Sequence, residues 1–281
     1  MAQQQVDLAL AFLQSRPGAA ATILEQQPLE QVAEFLSNVP HPYGATVLGK
    51  MLPQYSARLC QILKPNIAAG LLSAMNVSLV AAIMRHCPGE LRSQLLDLLP
   101  EKTQLACWLL LTYSEDALGA WMTANISTLP DDCNVAEALA RITAEHDTVN
   151  FGATLVVDRD RHLKGLVQLP ALMRAAPTTT ITAVMDKLVD SLSARMALNA
   201  ATNHPLWVDR DSIPVTNRNQ QLVGLLRHSD LRRGLEQTTT NIVTTDGADP
   251  ITGIYETYGK SLLALFDTVT DLASTRTGRG N

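Results

Sequence analysis

The sequence predicts an all-α superhelix of short helices, followed by a duplicated α/β unit and a C-terminal amphipathic helix. Three observations carry this expectation. Prolines recur about every twelve residues through the first 120, a short passage is written twice with a shift of 224 − 165 = 59 residues, and an apolar stripe runs from Ile251 to Leu272.

The proline rhythm comes first in the chain. Pro17, Pro28, Pro40, Pro53, Pro65, Pro88 and Pro100 are spaced by 11, 12, 13, 12, 23 and 12, so one beat near residue 77 is silent. Proline fits the first turn of a helix, where its missing N–H has no intrahelical partner, and it blocks continuation of the helix before it. The rhythm therefore marks helix starts. Between the beats, apolar residues recur at helical spacing: Val32, Phe35 and Leu36; Val47, Leu48, Met51 and Leu52; Leu91, Leu95, Leu98 and Leu99; Leu105, Trp108 and Leu109. About nine helices this short cannot stand alone and must stack on their neighbours. The uncharged run Pro65 to Met84 is interrupted by Gly70, Ser73, Asn76 and Ser78, and is read as two short buried helices rather than a membrane span.

The duplication follows. Leu155-Val156-Val157-Asp158-Arg159-Asp160-Arg161-His162-Leu163-Lys164-Gly165-Leu166-Val167 is echoed by Pro214 to Leu226. Each copy reads as strand, polar hairpin turn, then a strand carrying glycine. Helices are expected at Leu169 to Arg174 and at Ser229 to Glu236. In the first copy a strand at Asn125 to Leu129 and a capped helix with Val135, Ala138, Leu139 and Ile142 inward should precede the hairpin. In the second, a helix around Ser193 to Ala201 should take that place. Two such units can pack face to face and close an otherwise open sheet face.

Composition narrows the function classes. A net charge of −5 argues against a broad nucleic-acid surface, and 4% aromatic residues argue against stacking platforms. The polar start, Met1 to Asp7, lacks the basic and apolar regions of a secretion signal. Cys60, Cys87, Cys107 and Cys133 have no ligand spacing and read as buried small hydrophobes in a reducing, cytoplasmic setting. The six histidines show no metal-ligand spacing. His228-Ser229-Asp230 holds the residue types of a hydrolase triad, but consecutive residues at a helix start cannot align. No enzyme activity is expected.

With Ser212-Ile213-Pro214-Val215, Leu222-Val223-Gly224 and Asp230-Leu231, each copy resembles a cystathionine-β-synthase (CBS) domain. A proline-paced helical segment leading through Trp121-Met122-Thr123 into such a pair is similar to the cytosolic half of the MgtE family of magnesium transporters. The resemblance spans about residues 5 to 236 and implies an MgtE-N-like superhelix over 1–120, CBS domains at 121–180 and 181–240, and a helix with polar tail over 241–281. The family continues into a transmembrane domain, and the chain stops at Asn281 without such a segment. Transport by this chain alone is not expected.

The resemblance also locates ligand candidates. Adenosine-binding CBS sites present Gly-h-h-Thr/Ser-x-x-Asp, where hydroxyl and amides meet phosphate and the carboxylate accepts the ribose hydroxyls. The second copy keeps Gly224 and Asp230 but places Arg227 at the hydroxyl position, and the first has Gln168 and Ala171 at the two polar positions. Arg227 can pair with phosphate or remain a solvated arginine, and Asp230 can bind ribose or cap its helix. The other candidate ligand is Mg²⁺, which needs only one or two carboxylates from each of two surfaces. Asp131 with Asp132, Asp158 with Asp160, Asp209 with Asp211, and Asp246 with Asp249 are the local pairs. Turn aspartates also occur for purely structural reasons.

After Asp249-Pro250, the residues Ile251, Ile254, Tyr255, Tyr258, Leu262, Leu265, Phe266, Val269 and Leu272 form one helical stripe. It can fold back on the chain, dock on a separate membrane protein, or pair with a second copy. A homodimer through Ile254, Tyr258, Leu262, Leu265, Phe266 and Val269 is the reading adopted. The functional expectation is a soluble regulatory protein resembling the cytosolic gating region of a magnesium channel, binding Mg²⁺ and rearranging between domains. An adenosine-nucleotide-binding regulator, or a scaffold with degenerate sites, is the alternative.

Overall fold

The computed structural model describes residues 10–144, 153–187, 189–208 and 210–240. They fall into two compact units, the first ending at Cys107 and the second starting at Trp108.

In the first unit, helical residues 10–15 precede α1 (Pro17–Glu25), α2 (Leu29–Asn38), α3 (His41–Leu48), α4 (Pro53–Ile62), α5 (Pro65–Ser73), α6 (Val77–His86) and α7 (Gly89–Asp97), and α8 (Glu101–Leu111) begins there. The proline rhythm marks these starts. Pro17, Pro53 and Pro65 open α1, α4 and α5, while Pro28, Pro40 and Pro88 are the N-caps of α2, α3 and α7. The silent beat is filled by Asn76. Its Oδ1 accepts from the Ser78 amide at 2.9 Å and from the Ser78 hydroxyl at 2.8 Å, satisfying a donor that the helix itself leaves unpaired. The uncharged run therefore divides into α5 and α6 as expected.

Each helix packs against the next but one: α1 on α3, α2 on α4, α3 on α5, α4 on α6 and α5 on α7. That pattern makes the segment a superhelix. Leu24, Leu36, Leu48, Leu59, Leu71, Leu72, Met84, Leu95 and Leu96 are fully buried along it. Each contributes about 1.5–3 kcal/mol of transfer free energy. Gly44 lets α3 and α5 approach, since a Cβ there would meet Leu71 at 2.7 Å.

The expected inward face of α8 is corrected. Leu105 and Trp108 are 63% and 49% exposed, whereas Ala106, Cys107 and Leu110 are buried. The stretch 105–111 is apolar all round, so spacing does not mark a face, and small Ala106 and Cys107 sit on the packed side. Leu52 and Leu98 are also exposed, and both are cap residues outside the helices they adjoin. All four cysteines are free and buried, as read from sequence, and burial pushes the Cys60 and Cys107 thiols up to about 12.

The second unit is the duplicated part. Its first copy comprises β1 (Thr128–Pro130), α9 (Val135–Ala144), β2 (Ala153–Val157), β3 (Leu163–Gln168) and α10 (Leu169–Arg174). After α11 (Ile181–Val184), the second copy has β4 (Leu192–Ser193), α12 (Leu198–Thr202), β5 (Ser212–Thr216), β6 (Leu222–Arg227) and α13 (His228–Thr240). Both sheets have the same topology: first strand parallel to the second, second antiparallel to the third. The register slips at equivalent places, Val156/Val157 and Val215/Thr216. Asn134 and Glu137 form a reciprocal capping box at α9, with bonds of 2.9 and 3.2 Å.

One element of the second copy differs from expectation. Leu192 and Ser193 form β4, paired with Val215 and Thr216, so the helix expected around Ser193 to Ala201 is confined to α12. The strand in the first copy likewise starts at Thr128 rather than Asn125.

Both hairpins turn by the same chemistry. Asp158 Oδ1 accepts from the amides of Asp160 and His162, and Asn217 Oδ1 accepts from those of Asn219 and Gln221. Arg161 and Gln220 take φ of 66° and 60° in these Asx turns. The turns then bond to each other, Leu222 N to Arg161 O at 2.8 Å and Gln221 Nε2 to Asp160 O at 3.0 Å. Leu155 and Val157 of one copy share a buried cluster with Leu222 and Leu225 of the other, so the two copies do meet face to face.

The copies also exchange their leading segments. Thr123, ahead of the first copy, exchanges backbone bonds of 2.8 and 3.0 Å with Leu225 of the second, while Asp186 exchanges bonds of 2.8 and 2.9 Å with Leu166 of the first. Gly165 and Gly224 lie under these crossings. The expected C-terminal helix and the residues Ile254, Tyr258, Leu262, Leu265, Phe266 and Val269 lie outside the described residues. Among the described residues no helix is long and apolar enough to cross a membrane.

Candidate ligand site in the second repeat

The junction of β6 with α13 gathers the second copy's polar side chains. Ser212 pairs with Arg227, and the His228 amide donates to Asp211 O at 3.0 Å, so the loop before β5 is clamped beside the first turn of α13. Asp230 sits in that turn and is only 4% exposed. Its Oδ1 is 3.1 Å from Arg233 Nη1. Burial pushes the carboxyl pKa upward, opposed by the charges of Arg233 and Arg227, and the net displacement is upward. The fold thus holds a carboxylate where its ionised form is costly, with two guanidiniums close by.

Trp207 flanks the same place. Its indole N–H donates to Ala201 O at 2.7 Å, and its ring meets the His228 ring edge-on at 5.1 Å. Sequence reasoning named Gly224, Arg227 and Asp230 but missed Trp207 and Arg233. The i, i+3 spacing of Asp230 and Arg233 was the available signal for the latter.

In the first copy the equivalent positions, Gln168 and Ala171, give an exposed amide without a capping bond and a methyl group. Among the described residues only the second copy carries the ionic arrangement.

Of the aspartate pairs, Asp132 and Asp158 meet cations. Asp132 is 3.1 Å from Arg159, with both side chains exposed. Asp158 Oδ2 lies 3.1 Å from Lys164 Nζ and 3.2 Å from His162 Nδ1. Asp160 contributes its amide to Asp158 and its carbonyl to Gln221, and Asp131 donates its amide to Val157 O. Asp211 presents a carbonyl to His228. Asp209, Asp246 and Asp249 lie outside the described residues. Among the described residues no three His, Cys, Asp or Glu side chains gather as a metal-ion set.

Partial burial tends to raise the Asp158 carboxyl, but the His162 amide, the Lys164 ammonium and the His162 ring outweigh it and hold the pKa at about 2. A carboxyl lowered on folding stabilises the fold above its unfolded pKa of about 3.9, and that contribution is lost as pH falls toward the folded value. The stability difference between the unsubstituted chain and Asp158→Asn should therefore shrink between about pH 5 and about pH 2.5. Urea titrations across that range check this, and a difference that grows on acidification would contradict it.

Comparison with known proteins agrees with this architecture. Residues 15–116 match the MgtE intracellular N domain, and residues 118–178 match the CBS domain. The first match covers the superhelix and the second covers the first copy. The chain is 28% identical over 160 residues to the magnesium transporter MgtE of Thermus thermophilus, a match covering 55% of this chain and 35% of that protein. The matched part is thus about a third of that relative's length. Among solved structures, it is similar to the cytosolic domain of the Mg²⁺ channel MgtE in complex with ATP, with a TM-score of 0.69 and 22% identity over 83% of this chain and 99% of that one. It is also similar to the soluble part of a magnesium transporter, with a TM-score of 0.59 and 17% identity over 85% and 99%. These two likenesses establish the fold.

Proposed function

For a chain that joins an MgtE intracellular N domain to a CBS domain pair, as the cytosolic part of the MgtE transporter family does, we propose a regulatory module that binds an adenosine nucleotide in its second CBS copy. Both kinds of domain are regulatory rather than catalytic. The observation that carries the nucleotide reading is Asp230, a carboxylate 4% exposed, ion-paired to Arg233 and close to Arg227. A buried carboxylate with a raised pKa at a helix N-terminus is suited to accept two ribose hydroxyls. Arg227 replaces the usual hydroxyl with a guanidinium that can pair with phosphate. The likeness to an MgtE cytosolic domain in complex with ATP supports the same reading.

The ligand would act by population shift, favouring whichever arrangement of the module binds it more tightly. The stripe Ile254, Tyr258, Leu262, Leu265, Phe266 and Val269 would join two copies into a homodimer. A divalent cation, Mg²⁺, held by carboxylates among Asp131, Asp132, Asp158, Asp160, Asp209 and Asp211, is the second reading, favoured by the fold shared with magnesium-transporter domains.

Thermal unfolding in EDTA, in millimolar ATP, and in millimolar Mg²⁺ against a Ca²⁺ control separates the two. A ligand specific to the folded state adds about 2.7 kcal/mol at a hundred times its dissociation constant. ATP should raise the midpoint, and Asp230→Asn should abolish that rise without lowering the midpoint of the free protein. The second half follows from the sign of the shift: a carboxyl whose pKa rises on folding costs stability once pH exceeds its unfolded value, so neutralising it removes a penalty. A rise with Mg²⁺ alone favours the cation, and no rise with either rejects both.

A further inference from the structure

Residues 105–111 of α8 have the composition of a helix covered on every side, since apolar groups point in all directions. The fold covers one side only. Ala106, Cys107 and Leu110 are buried, while Leu105 and Trp108, one turn apart on the opposite face, are exposed. A lone exposed apolar residue is ordinary, but a leucine and a tryptophan exposed side by side on a helix of this composition mark an unpartnered face.

The chain carries a cover for that face. After α13, 281 − 240 = 41 residues follow, and they include the apolar stripe that begins at Ile251. From Ile251 through Tyr255, Tyr258, Leu262, Leu265 and Val269 the steps are 4, 3, 4, 3 and 4, the spacing of a seam through which two identical helices pair. Ile254 and Phe266 fall beside that seam, where a two-helix pair would leave them in water, so the stripe is wider than pairing alone needs. Its flank requires a second apolar face. Within the second unit, Trp121 lies against Gly234 of α13 and its indole donates to Glu115 O, four residues beyond α8, so a short path of contacts ties α13 to the end of α8. The ten residues 241–250 span up to about 35 Å when extended, which serves as a tether over such a path.

We propose that the stripe of each chain lies on its own α8, with Phe266 against Leu105 and Trp108, and leaves its seam free for the second copy. The proposal rests on the reading of the stripe as an apolar helix that joins two copies, and adds the surface that receives its flank.

The test is crosslinking of the full chain carrying Trp108→Cys and Phe266→Cys with a short bis-maleimide, each single variant serving as control. The four native cysteines are buried and burial raises each thiol, so they do not compete for the reagent. A link within one chain is expected, at monomer mass on a denaturing gel and mapped by peptide mass. A link only between chains, or none, overturns the proposal. Trp108→Glu, first checked for an unchanged circular dichroism spectrum, should free the stripe, so that trypsin cuts after Lys260 about tenfold faster, the size expected when one buried apolar side chain holds the closed form. An unchanged rate also overturns the proposal. Light scattering separates this inference from the dimer reading: a monomer that gives the intrachain link keeps the inference and rejects the homodimer, and a dimer without the link does the reverse.

Discussion

Trp121→Ala should destabilise the second unit by about 3–5 kcal/mol, the range for removing a large aromatic side chain from a packed core. The indole is 1% exposed, and its N–H donates to Glu115 O at 2.7 Å. A Cβ added at Gly234 would touch both the Trp121 ring and Leu198, so the glycine leaves room for the ring beside α13. The segment just before it is bonded to the second copy, Leu118 N to Met196 O at 2.9 Å and Gly119 N to Ala194 O at 2.8 Å. Truncation would therefore open a cavity where the lead-in segment meets the second copy, and leave Glu115 O without its donor. Because the chain has two units, the effect should be read from the transition of the second one in guanidinium rather than from a single overall midpoint. A loss below about 1 kcal/mol would show that the site collapses around the missing ring.

Gly165→Ala should cost about 3 kcal/mol and Gly224→Ala distinctly less, although the two residues are equivalent by repeat. A Cβ at Gly165 would lie 2.5 Å from the backbone oxygen of Asp186, part of the exchanged pairing with Leu166. At Gly224 the nearest atom is Met122 Sδ at 2.6 Å, and the Thr123 oxygen is farther, at 2.9 Å. A methionine side chain can swing aside, whereas a hydrogen-bonded carbonyl moves only with its strand. Equal costs would contradict the claim that backbone crossing, rather than side-chain packing, requires these glycines.

The same crossing shows why some of the molecule was legible in the sequence. Proline at a helix start is a local steric rule, so Pro17 to Pro100 mark the superhelix, and the one gap is met by Asn76, another local cap. Repetition exposes the two α/β copies, and the glycine in each marks a place of close approach before the approaching strand is known. The misreadings were non-local. Residues 105–111 offer apolar groups in every direction, and only packing selects Ala106, Cys107 and Leu110. Leu192-Ser193 becomes a strand because Val215-Thr216 lies beside it. At the candidate site, the motif pointed to Gly224, Arg227 and Asp230, but not to the burial of Asp230, since burial depends on what surrounds a side chain.

The most direct measurement of the central claim is the stoichiometry of ATP binding by isothermal titration calorimetry, with and without Asp230→Asn. Among the described residues only the second copy carries the buried carboxylate and its guanidiniums, the first having Gln168 and Ala171 in the places of Arg227 and Asp230. The account predicts about one ATP per chain, lost in Asp230→Asn, by analogy with other sites where a buried polar group is essential to recognition. Absence of saturable binding, two equivalent sites per chain, or an unaltered isotherm in Asp230→Asn would contradict it.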